Sequence, residues 1–315
     1  MSEKTLTTEQ TAPRRGGWLA MVFIGAVLLM IGGGMASGGI AILNVDRWGG
    51  RIDYPAGFDP RWLESAAAVV TGVGIALVLA AFLLIVWGAH GWGRRSELAA
   101  TPASGGYPAG ITGHLDSPSR ALWLVKWLLL IPHAIVLGLL WTAFWPVSIV
   151  AWFAILFTRR YPLSLFTFTV GVVRWSWRVG FYGYSALGTD AYPPFSLDSR
   201  PYPADLAVAY PERLSRGLVL VKSWLLAIPH LILVAVLTGW GSSDGRGVAV
   251  LTVLVVIAAI ALLFTGRYPP GVFDLVMGID RWAFRTMAYV ALLRDDYPPF
   301  RLDQGSDEPA VSSPK

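Results

Sequence analysis

A chain of 315 residues that is 55% hydrophobic and only 14% charged, with a mean hydropathy of +0.55, carries too few charges for a soluble globular domain. The lack of cysteine removes disulfides, thiolate nucleophiles and cysteine metal sites. Its net charge of +5 is spread along the flanks of apolar runs and not gathered on one face, which suits a membrane and not a nucleic acid.

In chain order, residues 1–16 read as a disordered cytoplasmic tail with Arg14 and Arg15 as its anchor. Apolar runs at Trp18 to Leu43 and Ala66 to Ala89 approach the roughly 20 residues needed to cross a bilayer and form an N-terminal transmembrane hairpin over 17–92. The first run is long and glycine-rich, without the cleavage site of a secretory signal. Gly34 and Gly38 stand four apart in it, a spacing that serves either close packing within the chain or a dimer interface. A cytoplasmic linker follows at 93–106. The third run, Ala121 to Phe157, is long enough for two crossings, and Trp145 and Pro146 interrupt it, so the expectation is a helical hairpin. The fourth and fifth runs, Gly217 to Gly239 and Val248 to Phe264, flank a polar turn, GWGSSDGRG, at the equivalent place. The fold expected is an all-α integral membrane protein with about six transmembrane helices, ending in a disordered tail at 304–315. With the N-terminus inside, only Arg47, Arg51, Arg61 and Arg246 lie outside, so both termini should be cytoplasmic in a bacterial inner membrane.

Residues 107–198 recur as 202–303, and such internal repetition constrains the architecture. Each copy opens with YPA, continues through SR, VK, IPH, FT and RYP, and closes on YPPF and LD. A short alternating stretch, clearest at Leu206, Val208 and Tyr210, suggests short cytoplasmic strands. After RYP, a largely apolar helix carries a narrow polar stripe: Thr167, Gly171, Arg174 and Arg178 in one copy, Asp274, Gly278, Arg281 and Arg285 in the other. Charge counting places these helices, 163–187 and 270–293, in the inner interface, making the copies parallel. Arg174, Arg178, Arg281 and Arg285 are then candidates for holding anionic lipid headgroups. Alternatively they anchor the helix or pair with Asp190, Asp280, Asp295 or Asp296.

Pro132 and Pro229 fall inside helices, where each frees a carbonyl, and His133 and His230 follow them. The histidines could serve a proton relay, or cap a kink. No acidic or histidine partner stands one helical turn away, so no metal site is expected. Lys126 and Lys222 should snorkel to the surface. The RYP junctions read as basic corners on the inner surface, and YPPF as the end of the interfacial helix. No GxSxG, HExxH, phosphate loop or dinucleotide fingerprint occurs, and Asp198 and Asp303 lack a neighbouring second carboxylate.

The series IPH, RYP, GxxRW and YPPF, in fixed order and in two tandem copies, resembles the bacterial, mainly actinobacterial, membrane family catalogued as domain of unknown function 4389. The resemblance covers about two thirds of the chain. It implies a membrane protein and assigns no reaction, cofactor or catalytic residue. The first copy departs at Arg159 and has no match for Asp274, which argues against strictly two-fold chemistry. The function expected is non-enzymatic: organising membrane lipids, or scaffolding an envelope protein or a second copy of the chain. The alternative is a small transporter or channel with a path between the repeats.

Overall fold

The computed structural model describes residues 15–48, 50, 60–93, 107–239 and 249–307. Residues 240–247 of the expected turn and most of the tails and linker lie outside them. The described chain is mainly helical: α1 (Arg15–Leu43), α2 (Pro60–Gly93), α3 (Lys126–Thr158), α4 (Leu163–Tyr182), α5 (Arg216–Val221), α6 (Ile228–Thr238), α7 (Val250–Thr265) and α8 (Pro270–Val290). Four helical stretches, Gly17–Leu43, Arg61–Gly93, Trp123–Thr158 and Arg216–Thr238, are long and apolar enough to cross a membrane, and α7 is a shorter apolar helix. Side chains such as Leu83, Ile135, Trp145 and Phe264 stay exposed along these helices, as expected of surfaces that lipid covers.

The expected count of six crossings therefore changes. The third apolar run is one helix of 33 residues with Pro132 and Pro146 inside it, not a hairpin. Its buried residues explain why. Leu137, Leu140, Phe144, Val147, Ala151 and Ile155 recur three or four apart on both sides of Pro146, so a continuous helix keeps one packed stripe. That stripe outweighs the single hydrogen bond proline removes.

The N-terminal hairpin packs through glycines other than the pair singled out. A Cβ on Gly25 would lie 2.6 Å from Ile85, one on Gly32 would lie 2.8 Å from the Gly74 carbonyl, and one on Gly39 would overlap Thr71. Seven-residue spacing lets α1 and α2 approach at backbone distance. Gly34 and Gly38 would meet nothing within 4 Å, so they do not mediate this packing. The hairpin is joined to the repeats: Ser164 Oγ lies 2.5 Å from His90 Nδ1, and Thr167 Oγ1 donates to the Gly93 carbonyl at 3.2 Å.

The opening segments of the two copies pair with each other. β1 (Ala109–Gly113) runs antiparallel to β2 (Ala204–Val208), with Ile111 opposite Leu206 at the centre. Those two residues are equivalents, as are Ala109 and Ala204, so the ribbon relates the copies by a local two-fold. His114 N donates to Pro203 O and Ala209 N to Pro108 O, extending the ladder equally at both ends.

Candidate functional site

The polar stripe does not face phosphates. α4 is buried on nearly every side, and the loops after α4 and α8 fold back over its arginines and those of α8. Gly171 makes room for this: a Cβ there would lie 2.8 Å from the Leu197 side chain. Arg174 Nε donates to the Leu206 carbonyl at 2.7 Å, and Nη1 to Leu197 O at 3.2 Å, with Asp205 at 3.2 Å. Arg281 Nε donates to the Ile111 carbonyl at 3.0 Å, Nη1 to Asp303 O, and Nη2 to the carbonyls of Gly305 and Ser306. Each arginine therefore holds the central strand residue of the other copy. Arg178 reaches the carbonyls of Ser196 and Asp198, and Arg285 the Asp303 carboxylate at 2.6 Å. Burial pulls the Arg178 guanidinium down to about 10 and Asp205 opposes the shift, so it stays charged at neutral pH.

These contacts correct the headgroup assignment of Arg174, Arg178, Arg281 and Arg285, and the partners Asp190, Asp280, Asp295 and Asp296 proposed for them. A guanidinium presents five donors in a fixed fork, and here strand and loop carbonyls with the carboxylates of Asp205 and Asp303 accept from these arginines. Tyrosines repeat the exchange: Tyr107 OH donates to Asp296 O at 2.8 Å, and Tyr202 OH to Ala191 O at 2.9 Å, both across copies.

Lys126 and Lys222 are likewise buried and do not snorkel. Lys126 Nζ donates to Thr189 O at 2.7 Å and lies 3.1 Å from Asp190. Lys222 Nζ donates to Arg294 O at 3.0 Å and pairs with Asp295 at 2.6 Å. The same two aspartates accept from Ser119 N and Ser215 N, both at 2.5 Å. Thus SR and VK of each copy clamp the chain after its last helix. Burial opposes ionisation of Asp190, but hydrogen bonds from Ser119 and Lys126 outweigh it and hold the carboxyl below its usual range.

IPH, RW and YPPF meet in a box, once per copy. Trp175 Nε1 donates to His133 Nδ1 at 3.2 Å, while Phe195 stacks on the imidazole with centroids 4.0 Å apart and Tyr192 lies 4.9 Å away. In the second copy Trp282 donates to His230 Nδ1 at 2.9 Å, with Phe300 stacked at 4.2 Å and Tyr297 at 4.7 Å. An accepting Nδ1 puts the proton on Nε2. Tyr192 OH donates to Leu129 O at 3.0 Å and Tyr297 OH to Leu226 O at 3.1 Å, each carbonyl three residues before its proline. Each histidine is packed by its own copy, so these contacts form no shared path between the copies.

Copy 2 has one residue more between its lysine and histidine, Ser223. A π-helical turn, Lys222–Leu226, absorbs it. Trp127 and Trp224 remain equivalent, 59% and 62% exposed, so the register recovers within one turn.

Two features were not legible in the sequence. The first is the meeting of each basic RYP corner with the SR arginine of the other copy. Arg216 Nη2 donates to Phe157 O at 2.6 Å and Leu214 N to Arg159 O at 2.8 Å, bringing Arg213 and Arg216 against Arg159 and Arg160. Equivalently, Arg120 packs on Gly266, where an added Cβ would lie 2.6 Å from its Nε, next to Arg267. The repeated SR and RYP were legible; their meeting across copies was not. The second is a cavity of about 350 Å³ between α6, α7 and α8, with Asp280 in its wall.

Residues 120–196 and 245–301 match the family model described as Domain of unknown function (DUF4389). No curated protein and no solved structure matches the chain.

Proposed function

For a member of the DUF4389 family that carries two copies of its domain, we propose a non-enzymatic role in the bacterial inner membrane, where the chain gathers anionic lipid at its two basic corners. The observation that carries this reading is the exposure of Arg159, Arg160, Arg213 and Arg216 at one corner, and of Arg120 and Arg267 at the other, beside the ends of apolar helices α3 and α7. Positive side chains so placed attract an anionic leaflet at about 1 kcal/mol each near the surface.

The buried arginines, lysines and histidines support the scaffold part of the proposal. They tie each copy's helices to its own closing segment and, through Arg174 and Arg281, to the other copy. Such a unit offers lipid, a protein partner or a second chain a fixed surface.

The test is reconstitution in nanodiscs of mixed phosphatidylcholine and phosphatidylglycerol, with bound lipid counted by native mass spectrometry. Wild type should retain phosphatidylglycerol preferentially, and an Arg120→Gln, Arg160→Gln, Arg213→Gln, Arg267→Gln variant should not. Equal retention of both lipids by wild type would remove the proposal.

A further inference from the structure

The cavity of about 350 Å³ is lined by apolar side chains of α6, α7 and α8, among them Leu231, Val234, Leu251 and Met287, with Tyr184 from the loop after α4. That volume lies within the range of small-molecule sites, which are apolar with a few placed polar groups. Here the placed group is Asp280, 3% exposed.

Asp280 breaks the two-fold. Its equivalent in the first copy is Val173, so the carboxyl is not required by the architecture the copies share. Every other buried ion described above faces an opposite charge or a set of carbonyls. Asp280 does not: Oδ2 is buried without a hydrogen bond among the described residues. Burial, with no cation nearby to oppose it, raises its carboxyl well above the usual range. Arg281, next in sequence, is committed to the backbone of β1 and the C-terminal loop. Tyr184 is the one other ionisable side chain among the described residues of the wall, and Tyr268 lies near Asp280 without donating to it, its hydroxyl donating to Ala186 O at 2.8 Å.

Two hydroxyls of the wall already have their protons committed: Thr238 Oγ1 donates to Val234 O at 2.7 Å and Thr286 Oγ1 to Trp282 O at 2.9 Å. With their protons used on their own helices, they offer a ligand lone pairs only. A carboxyl lacking a counter-ion, accepting hydroxyls and the ring of Phe284 together suit a donor that is also a cation.

We propose that this cavity binds a small apolar amine in its ammonium form, with the nitrogen at Asp280 and the apolar body among α6, α7 and α8. Burial favours the protonated carboxyl of Asp280 and an ammonium beside it favours the carboxylate, so entry of the amine drives proton release. Inside a low-dielectric wall the resulting ion pair is stronger than one at the surface.

The full chain in nanodiscs, titrated calorimetrically with 4-phenylbutylamine and with 4-phenylbutan-1-ol, tests this. The amine should bind wild type more tightly than the alcohol, and its affinity should rise with pH. Titrations in buffers of different ionisation enthalpy should show proton release on binding. Asp280→Asn should weaken the amine by roughly tenfold or more and leave the alcohol unchanged. Ala283→Trp, which fills the cavity, should remove both. The proposal is overturned by equal binding of the two probes, by amine binding without proton release, by amine affinity that survives Ala283→Trp, or by no amine binding at all. The proton count and the comparison of probes need only wild type, so misfolding of a variant does not shield the proposal.

Discussion

Deleting Ser223 should leave the protein folded, whereas deleting Leu128 from the equivalent helix should not be tolerated. An α-helix turns 100° and rises 1.5 Å per residue, so removing one residue between a lysine and a histidine swings one of their tips by on the order of 10 Å. In copy 1 the spacing between Lys126 and His133 has no spare residue, and deletion of the lipid-exposed Leu128 must break either the Lys126–Asp190 pair or the His133–Trp175 bond. Breaking a buried pair costs about 3–5 kcal/mol. In copy 2 the π-helical turn holds the extra residue, and its removal converts Lys222–Leu226 to an ordinary turn with both contacts kept. The loss is then the Ser223 Oγ–Val290 O hydrogen bond, about 1 kcal/mol. Thermal unfolding in one detergent, followed by tryptophan fluorescence, should place the Leu128 deletion on the order of 10 °C below wild type and the Ser223 deletion within a few degrees. Equal losses for the two deletions, or a larger loss for Ser223, would refute the argument that the turn stores a register correction.

Arg281→Met strips β1 and the C-terminal loop of their shared donor and should cost about 3–5 kcal/mol, with Arg281→Lys recovering only part because an ammonium cannot fork; denaturant unfolding reads both. Arg159 ends α3 at φ 61°, where copy 2 has Gly266 at φ 68°, so Arg159→Gly should raise stability by up to about 1 kcal/mol by the same measurement. The pH dependence follows from Asp190, whose carboxyl is held below its usual range in the folded state. Its contribution is present above the unfolded value near 3.8 and is lost as pH falls through the lower folded value. Asp190→Asn should therefore be less stable than wild type at pH 6 and converge on it in strong acid; a constant difference at all pH values would count against the assignment.

Much of this was readable as pattern before it was readable as contact. IPH, RW and YPPF were visible as recurring words, but periodicity along a helix says nothing of a loop returning some 60 residues later to stack Phe195 on His133. The arginine stripe was read correctly as a line and wrongly as a surface. Helical spacing fixes which residues share a face, not what covers it. The long third helix misled for a related reason: a Trp-Pro pair in an apolar run is a turn by local preference, and only the buried stripe crossing Pro146 overrides it.

By itself the sequence determined the membrane class, the duplication and the identity of the residues the two copies share, because composition and repetition belong to the chain whatever its shape. The tertiary structure decided where their charges go. In a low-dielectric interior a guanidinium or ammonium must be matched, and the partners came from the other copy's strand and from loops distant in sequence. It also decided which carboxyl went unmatched. Val173 and Asp280 are equivalent letters in a repeat, and only the fold reveals that one faces packed side chains and the other a cavity.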